Sequence, residues 1–135
     1  MNLHARPANS HDSLRTSREL RRALLCPQPK REVDGSAPFC AFQSVLVPEA
    51  GGVYLIHDLR GILYVGRTIN LRQRLAQHYW VTENDLLRLA LRHRFGEMRF
   101  SWFLVEVGRE RALLEHDLVG WLQPPCNRAT PGLPR

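Results

Sequence analysis

The stretch Gly52-Val53-Tyr54-Leu55-Ile56-His57-Asp58-Leu59-Arg60-Gly61-Ile62-Leu63-Tyr64-Val65-Gly66 decides the fold. Two runs rich in β-branched and aromatic residues flank Asp58-Leu59-Arg60-Gly61. That tetrapeptide is a turn signal, with Asp first and Gly fourth. The stretch predicts a β-hairpin, antiparallel by its connectivity. A loop of Leu59, Arg60 and Gly61, with Gly61 left-handed, would pair Asp58 with Ile62, Ile56 with Tyr64 and Tyr54 with Gly66. Tyr54 and Tyr64 would then share one face, as diagonal neighbours about 7–8 Å apart at the backbone. Gly66, opposite Tyr54, would leave that face open for a ligand. A loop one residue shorter would send the two phenols to opposite faces.

Downstream, the pattern predicts a helix over 70–79, with Thr68 or Asn70 as its cap and Leu71, Leu75 and Tyr79 as its apolar stripe. Arg74 and His78 stand one turn apart beside that stripe. At this spacing Arg and His more often make an ordinary solvated face, but the tyrosines just upstream favour a site. A second helix is expected over 84–93, capped by Asn84, then a strand over 98–107. A last helix over 110–122 is stopped by Pro124-Pro125. Glu115 falls at the edge of that helix's buried stripe, so its carboxylate needs a cation. Either a metal or a plain ion pair with Arg111 or the basic helix would satisfy it. His116 and Asp117 read as surface residues. The order strand, strand, helix, helix, strand, helix implies an α+β domain, a small sheet with helices on its faces.

The chain has 135 residues, enough for one domain. Residues 1–48 read as a basic, proline-punctuated arm, residues 49–130 as the folded domain and 131–135 as a tail. Within the arm a short helix over 13–25 is possible on periodicity, and 39–47 could add a strand at the domain edge. The N-terminus has no apolar core like that of a secretory signal, and no apolar run is long enough to span a bilayer. Cys26, Cys40 and Cys126 are widely spaced and form no zinc pattern; they read as reduced thiols, which suits a cytoplasmic protein, nucleoid-associated if bacterial. The net charge of +6 favours polyanionic partners. Almost all of the positive charge is arginine, which suits bidentate phosphate contacts but is also enriched by GC-rich genomes. Its distribution is more informative: no acid falls between Asp58 and Glu83, whereas Arg60, Arg67, Arg72, Arg74 and His78 do.

Gly52-Val53-Tyr54, Tyr64-Val65-Gly66, Thr68, Asn70-Leu71, Arg74-Leu75, His78, Leu113-Leu114-Glu115 and Pro125-Cys126-Asn127 together resemble the GIY-YIG nuclease superfamily. The likeness is to a small stand-alone version of the nuclease domain that begins excision-repair endonuclease subunits. Each short motif is weak alone, but the ordered set with its spacing is specific. The resemblance implies a three-stranded antiparallel sheet flanked by helices. It implies that Tyr54 or Tyr64 is the general base, that Arg74 binds the scissile phosphate, and that His78 sits in the active site. By the same likeness Glu115 is the single metal ligand, and Gly66, Arg67 and Asn127 are supporting residues. Arg67, Arg72 and Arg74 would contact nucleic acid. Arg67 stands where repair-type members often carry lysine, and Cys126 where a tyrosine is frequent.

These parts suggest a magnesium-dependent DNA endonuclease working by single-metal hydrolysis, with manganese able to substitute. A domain with so little surface for base-edge contacts should cut structure-selectively or with weak sequence specificity. Its DNA could be branched, nicked or single-stranded, and a protein partner could target it. The competing reading is a catalytically weak nucleic-acid-binding module within a larger complex.

Overall fold

The computed structural model describes residues 32–127. The short helix expected over 13–25 and the tail at 131–135 lie outside them. Four strands form one antiparallel sheet: β1 (Gly35–Pro38), β2 (Gly52–Asp58), β3 (Gly61–Thr68) and β4 (Arg99–Leu104), in the order β1-β4-β2-β3. The helices are α1 (Leu71–Trp80), α2 (Asp85–Arg92) and α3 (Gly108–Leu122). No helix among the described residues is long and apolar enough to cross a membrane.

The sheet has one strand more than the three expected, because β1 pairs along β4. The extra strand is not the one anticipated over 39–47. Ala41–Leu46 is a 3-10 segment whose backbone bonds close locally, Gln43 N to Cys40 O and Val47 N to Ser44 O. Ala37, Phe39 and Val47 are nevertheless buried in the main core. The core therefore reaches back into the stretch assigned to the arm.

The hairpin pairs Tyr54 with Gly66 and Ile56 with Tyr64, as expected, but reaches that register differently. The turn is tighter, with Asp58 opposite Gly61 and His57 opposite Ile62. Leu63 is then an extra residue, a bulge that restores the tyrosines to a common face. Gly61 has φ 109°, which an L side chain rarely adopts. Asp58 fastens the turn by accepting from Arg60 N at 2.8 Å and Phe95 N at 3.0 Å. Its partial burial alone would raise its pKa, but the hydrogen bonds from Arg60 and Phe95 outweigh that and hold it at about 2.

Strand alternation sends Tyr54, Ile56, Phe100 and Trp102 to one sheet face, where Leu71 and Leu75 of α1 and Leu87 of α2 pack on them. Val53, Leu55, Val65 and Phe103 face the other way, against Leu118 of α3. Helix α1 begins where expected: Asn70 caps it by accepting from Gln73 N at 3.1 Å, worth about 1 kcal/mol. Asn84 caps α2 in the same way, accepting from Leu87 N at 2.9 Å.

Candidate active site

Strands β2 and β3 present the tyrosines, and α1 lies across them with Arg74 and His78 turned inward. The Tyr54 and Tyr64 ring centroids are 6.1 Å apart, and each lies within 5.6 Å of the His78 ring. Tyr54 is fully buried and stacks on Phe100 at 5.0 Å. Its hydroxyl and His78 Nε2 are 2.7 Å apart, and His78 Nδ1 is 3.2 Å from Thr82 Oγ1. Burial, then the neighbouring Tyr64, raises the Tyr54 phenol well above its ordinary range, against the opposing pull of Arg74. Burial, then Arg74, lowers His78 to about 4. Both partners are thus neutral near pH 7. The bond can run from the phenol to Nε2, or from Nε2–H to the phenol oxygen.

Gly66 was expected to leave the sheet face open for a ligand. The Tyr54 ring fills that space instead, and a Cβ on Gly66 would collide with its Cζ and hydroxyl. The open space lies one step outward, in a cleft of about 520 Å³ lined by Tyr64, Arg74, Gln77, His78, Thr82 and Glu83 among others. Tyr64 is half-buried and faces this cleft, whereas Tyr54 does not line it. Arg74 lines the cleft, and its Nε is buried with no hydrogen-bond partner among the described residues. A guanidinium lining an open cleft can receive an incoming anion.

Glu115 does not line this cleft. It projects from α3, on the opposite side of the sheet, toward the β3 edge, where its Oε1 is 3.4 Å from Arg67 Nη1. It still acts on the cleft: burial and then the Glu115 charge raise the Tyr64 pKa, while Arg74 and a hydrogen bond with Tyr54 lower it. Tyr54, Tyr64, Arg74 and His78 therefore converge, with Glu115 and Arg67 at the flank.

Two other expected residues make contacts that hold the fold. Arg72 is tied into the fold, donating to Val47 O at 2.8 Å and to Glu49 Oε1 at 2.7 Å, so it holds the segment before β2. Asn127 serves as a strand surrogate. β3 is the outer strand, and Val65 turns its N–H and C=O away from β2. The Asn127 carboxamide accepts from that N–H and donates to that C=O, both at 2.8 Å. The segment after α3 is thereby locked beside Tyr64, and the edge of β3 is covered there.

Sequence reasoning missed Thr82, Gln77 and Glu83. Thr82 is one turn after His78 and the other two are generic polar residues, so only their position in the cleft singles them out. The spacing of Thr82, four residues beyond His78, was the one available signal.

With this geometry in place, comparison with known proteins is decisive. The family model of the GIY-YIG catalytic domain matches residues 50–128. The chain belongs to the GIY-YIG nuclease family. It is 33% identical over 82 residues to UvrABC system protein C of Methanothermobacter thermautotrophicus, covering 60% of this chain and 14% of that protein. It is 37% identical over 81 residues to the protein of the same name in Trichlorobacter lovleyi, covering 59% and 13%. The chain thus matches only about one seventh of the length of these relatives. The GIY-YIG N-terminal endonuclease domain of UvrC from Thermotoga maritima, crystallised with magnesium as its catalytic divalent cation, superposes with TM-score 0.53 at 23% identity. That match covers 64% of this chain and 93% of the other, and it shows the shared GIY-YIG fold.

Proposed function

We propose that this GIY-YIG domain is a magnesium-dependent DNA endonuclease. It hydrolyses a phosphodiester bond with Arg74 on the scissile phosphate, Tyr64 toward the attacking water and Glu115 as the metal carboxylate. The observation that carries this reading is the Arg74 side chain lining an open cleft beside the Tyr64 phenol. A phosphate is the anion that a fixed guanidinium in a nuclease fold best accommodates.

The residues fit a magnesium ion held mainly by water and substrate. Among the described residues no three His, Cys, Asp or Glu side chains cluster, and Glu115 is a lone, partly exposed carboxylate. Magnesium commonly keeps several waters and uses one or two carboxylates together with substrate phosphates. When bound, it would supply positive charge to the phosphate and the leaving oxygen.

The chain's own residues do the rest. Arg74 orients the phosphate and offsets charge on its nonbridging oxygens. Tyr64, unlike Tyr54, has access to the cleft and can take the proton of a water. Its pKa must fall for that role, and Glu115 is one of the two main influences raising it. Glu115 loses that influence once a cation neutralises it. Tyr54 and His78 form a neutral, buried, hydrogen-bonded floor that fixes the Tyr64 ring and excludes water from behind. Structure-selective or weakly sequence-specific cutting follows from the small surface available for base contacts. The relatives are named as protein C of a UvrABC system, which points to protein partners.

The test is nicking of supercoiled DNA and cutting of labelled forks, flaps and single strands in magnesium, then in manganese. Arg74→Ala and Tyr64→Phe should each lower turnover at least about a hundredfold while leaving the melting temperature within a few degrees. Full activity in Glu115→Ala would refute the metal assignment. Wild-type protein inert on every substrate would refute the enzyme.

A further inference from the structure

A second cleft opens beside the catalytic one. It shares His78, Val81 and Thr82 with it and has a volume of about 520 Å³. Ligand pockets typically span about 300–1,000 Å³. One wall is aromatic, with Tyr79 and Trp80 from the end of α1; the other carries Arg88, Arg92 and Arg94 from α2 and the loop after it. No acidic residue lines it.

The side chains here are arranged for an aromatic anion. Trp80 is 64% exposed, an unusual state for so large an apolar ring. It is also held in place: Phe42 meets it edge-on at 5.9 Å, and Tyr79 does so at 5.1 Å. Opposite, Arg92 has no carboxylate partner among the described residues, and Arg94 lies over the Phe39 ring at 5.5 Å with its Nε bonded to Leu91 O. Arg88 alone is ion-paired, to Asp85 at 2.9 Å. An exposed, packed indole and three guanidinium groups lining one cleft, Arg92 without a carboxylate, have the chemistry of a nucleotide site, with a base on the ring and its phosphate on the arginines.

We propose that this cleft seats an unpaired nucleotide of the substrate strand, next to the scissile phosphate held by Arg74. The inference rests on the nuclease reading for the identity of that phosphate. It names a substrate class: DNA in which a base beside the cut is free of the helical stack. In an intact duplex every base is stacked on its neighbours and cannot reach Trp80, so paired DNA leaves the subsite unused. The shared wall of His78, Val81 and Thr82 makes the two clefts direct neighbours, so adjacent parts of one strand can occupy both.

The experiment uses fluorescein-labelled oligonucleotides that are fully paired, gapped, or single-stranded with one abasic position moved along the strand. Anisotropy without magnesium reads binding, and gels with magnesium read cutting. Trp80→Ala and Arg92→Ala are surface changes, and circular dichroism melting checks that both fold. Each should bind gapped and single-stranded DNA about 5- to 150-fold more weakly than wild type and paired DNA nearly as well. An abasic position beside the cut should weaken wild type by a similar factor and leave Trp80→Ala unaffected. Equal losses on paired and unpaired DNA, or none, would overturn the subsite while wild-type cutting still upheld the nuclease. Trp80-dependent binding by a wild-type protein that never cuts would sustain the subsite and remove the nuclease.

Discussion

Acidification should unfold this domain chiefly through His78, and the effect can be sized from its surroundings. In the folded chain the imidazole is buried between Tyr54 and Thr82, and its pKa falls from 6.5 to about 4. A histidine depressed on folding binds fewer protons in the native state than in the unfolded one. Its contribution to stability is therefore complete above pH 6.5 and is withdrawn as pH falls toward 4. At about 1.4 kcal/mol per unit, the loss by pH 4 is on the order of 3 kcal/mol. For a domain of this size that is a fall of roughly 12–24 °C in melting temperature. His57 is also depressed, by burial and then by Arg99, and adds to the loss in the same direction. A variant isolates the His78 share. His78→Gln keeps a polar side chain but does not titrate. Urea unfolding of both proteins at several pH values between 4 and 7.5 gives two stability curves. The wild-type curve should be the steeper by about 1.4 kcal/mol per pH unit between roughly pH 4.5 and 6. Parallel curves would refute the reasoning, because they would mean that His78 takes up its proton in the native state as readily as in the unfolded chain.

Gly66→Ala should force the Tyr54 ring off its seat, costing about 1–3 kcal/mol by overpacking and disturbing the hydrogen bond to His78; an unchanged urea midpoint would contradict this. Asn127→Ala removes both bonds to the Val65 backbone, so stability should drop by about 1–3 kcal/mol, seen as a melting temperature lower by several degrees. Arg67→Ala removes the cation beside Glu115 and should let magnesium bind severalfold more tightly while DNA binds less well. Calorimetric titration with magnesium alone checks it, and weaker metal binding would show that Arg67 supports the site instead of competing for it.

What could be read from the chain by itself was local. The turn residues around Gly61, the alternation of Val53, Tyr54, Leu55 and Ile56, the caps Asn70 and Asn84, and the one-turn spacing of Arg74 and His78 follow from backbone geometry over a few residues. Those rules also put the tyrosines on one face, although the tighter turn and the Leu63 bulge cancel each other in a way that spacing alone does not specify. The family motifs carried the rest of the site assignment, since Glu115 and Asn127 are remote in sequence from the tyrosines. Only the tertiary structure decided how such remote groups meet. It brought β1 onto β4, occupied Arg72 with Val47 and Glu49, and spread Asn127 along the edge of β3. It also filled the space over Gly66 with Tyr54 and moved the open cleft out to Tyr64 and Arg74. The reason is range: periodicity and turn chemistry act between neighbours along the backbone, whereas burial and the pairing of charges depend on which distant segments the collapsed sheet packs together.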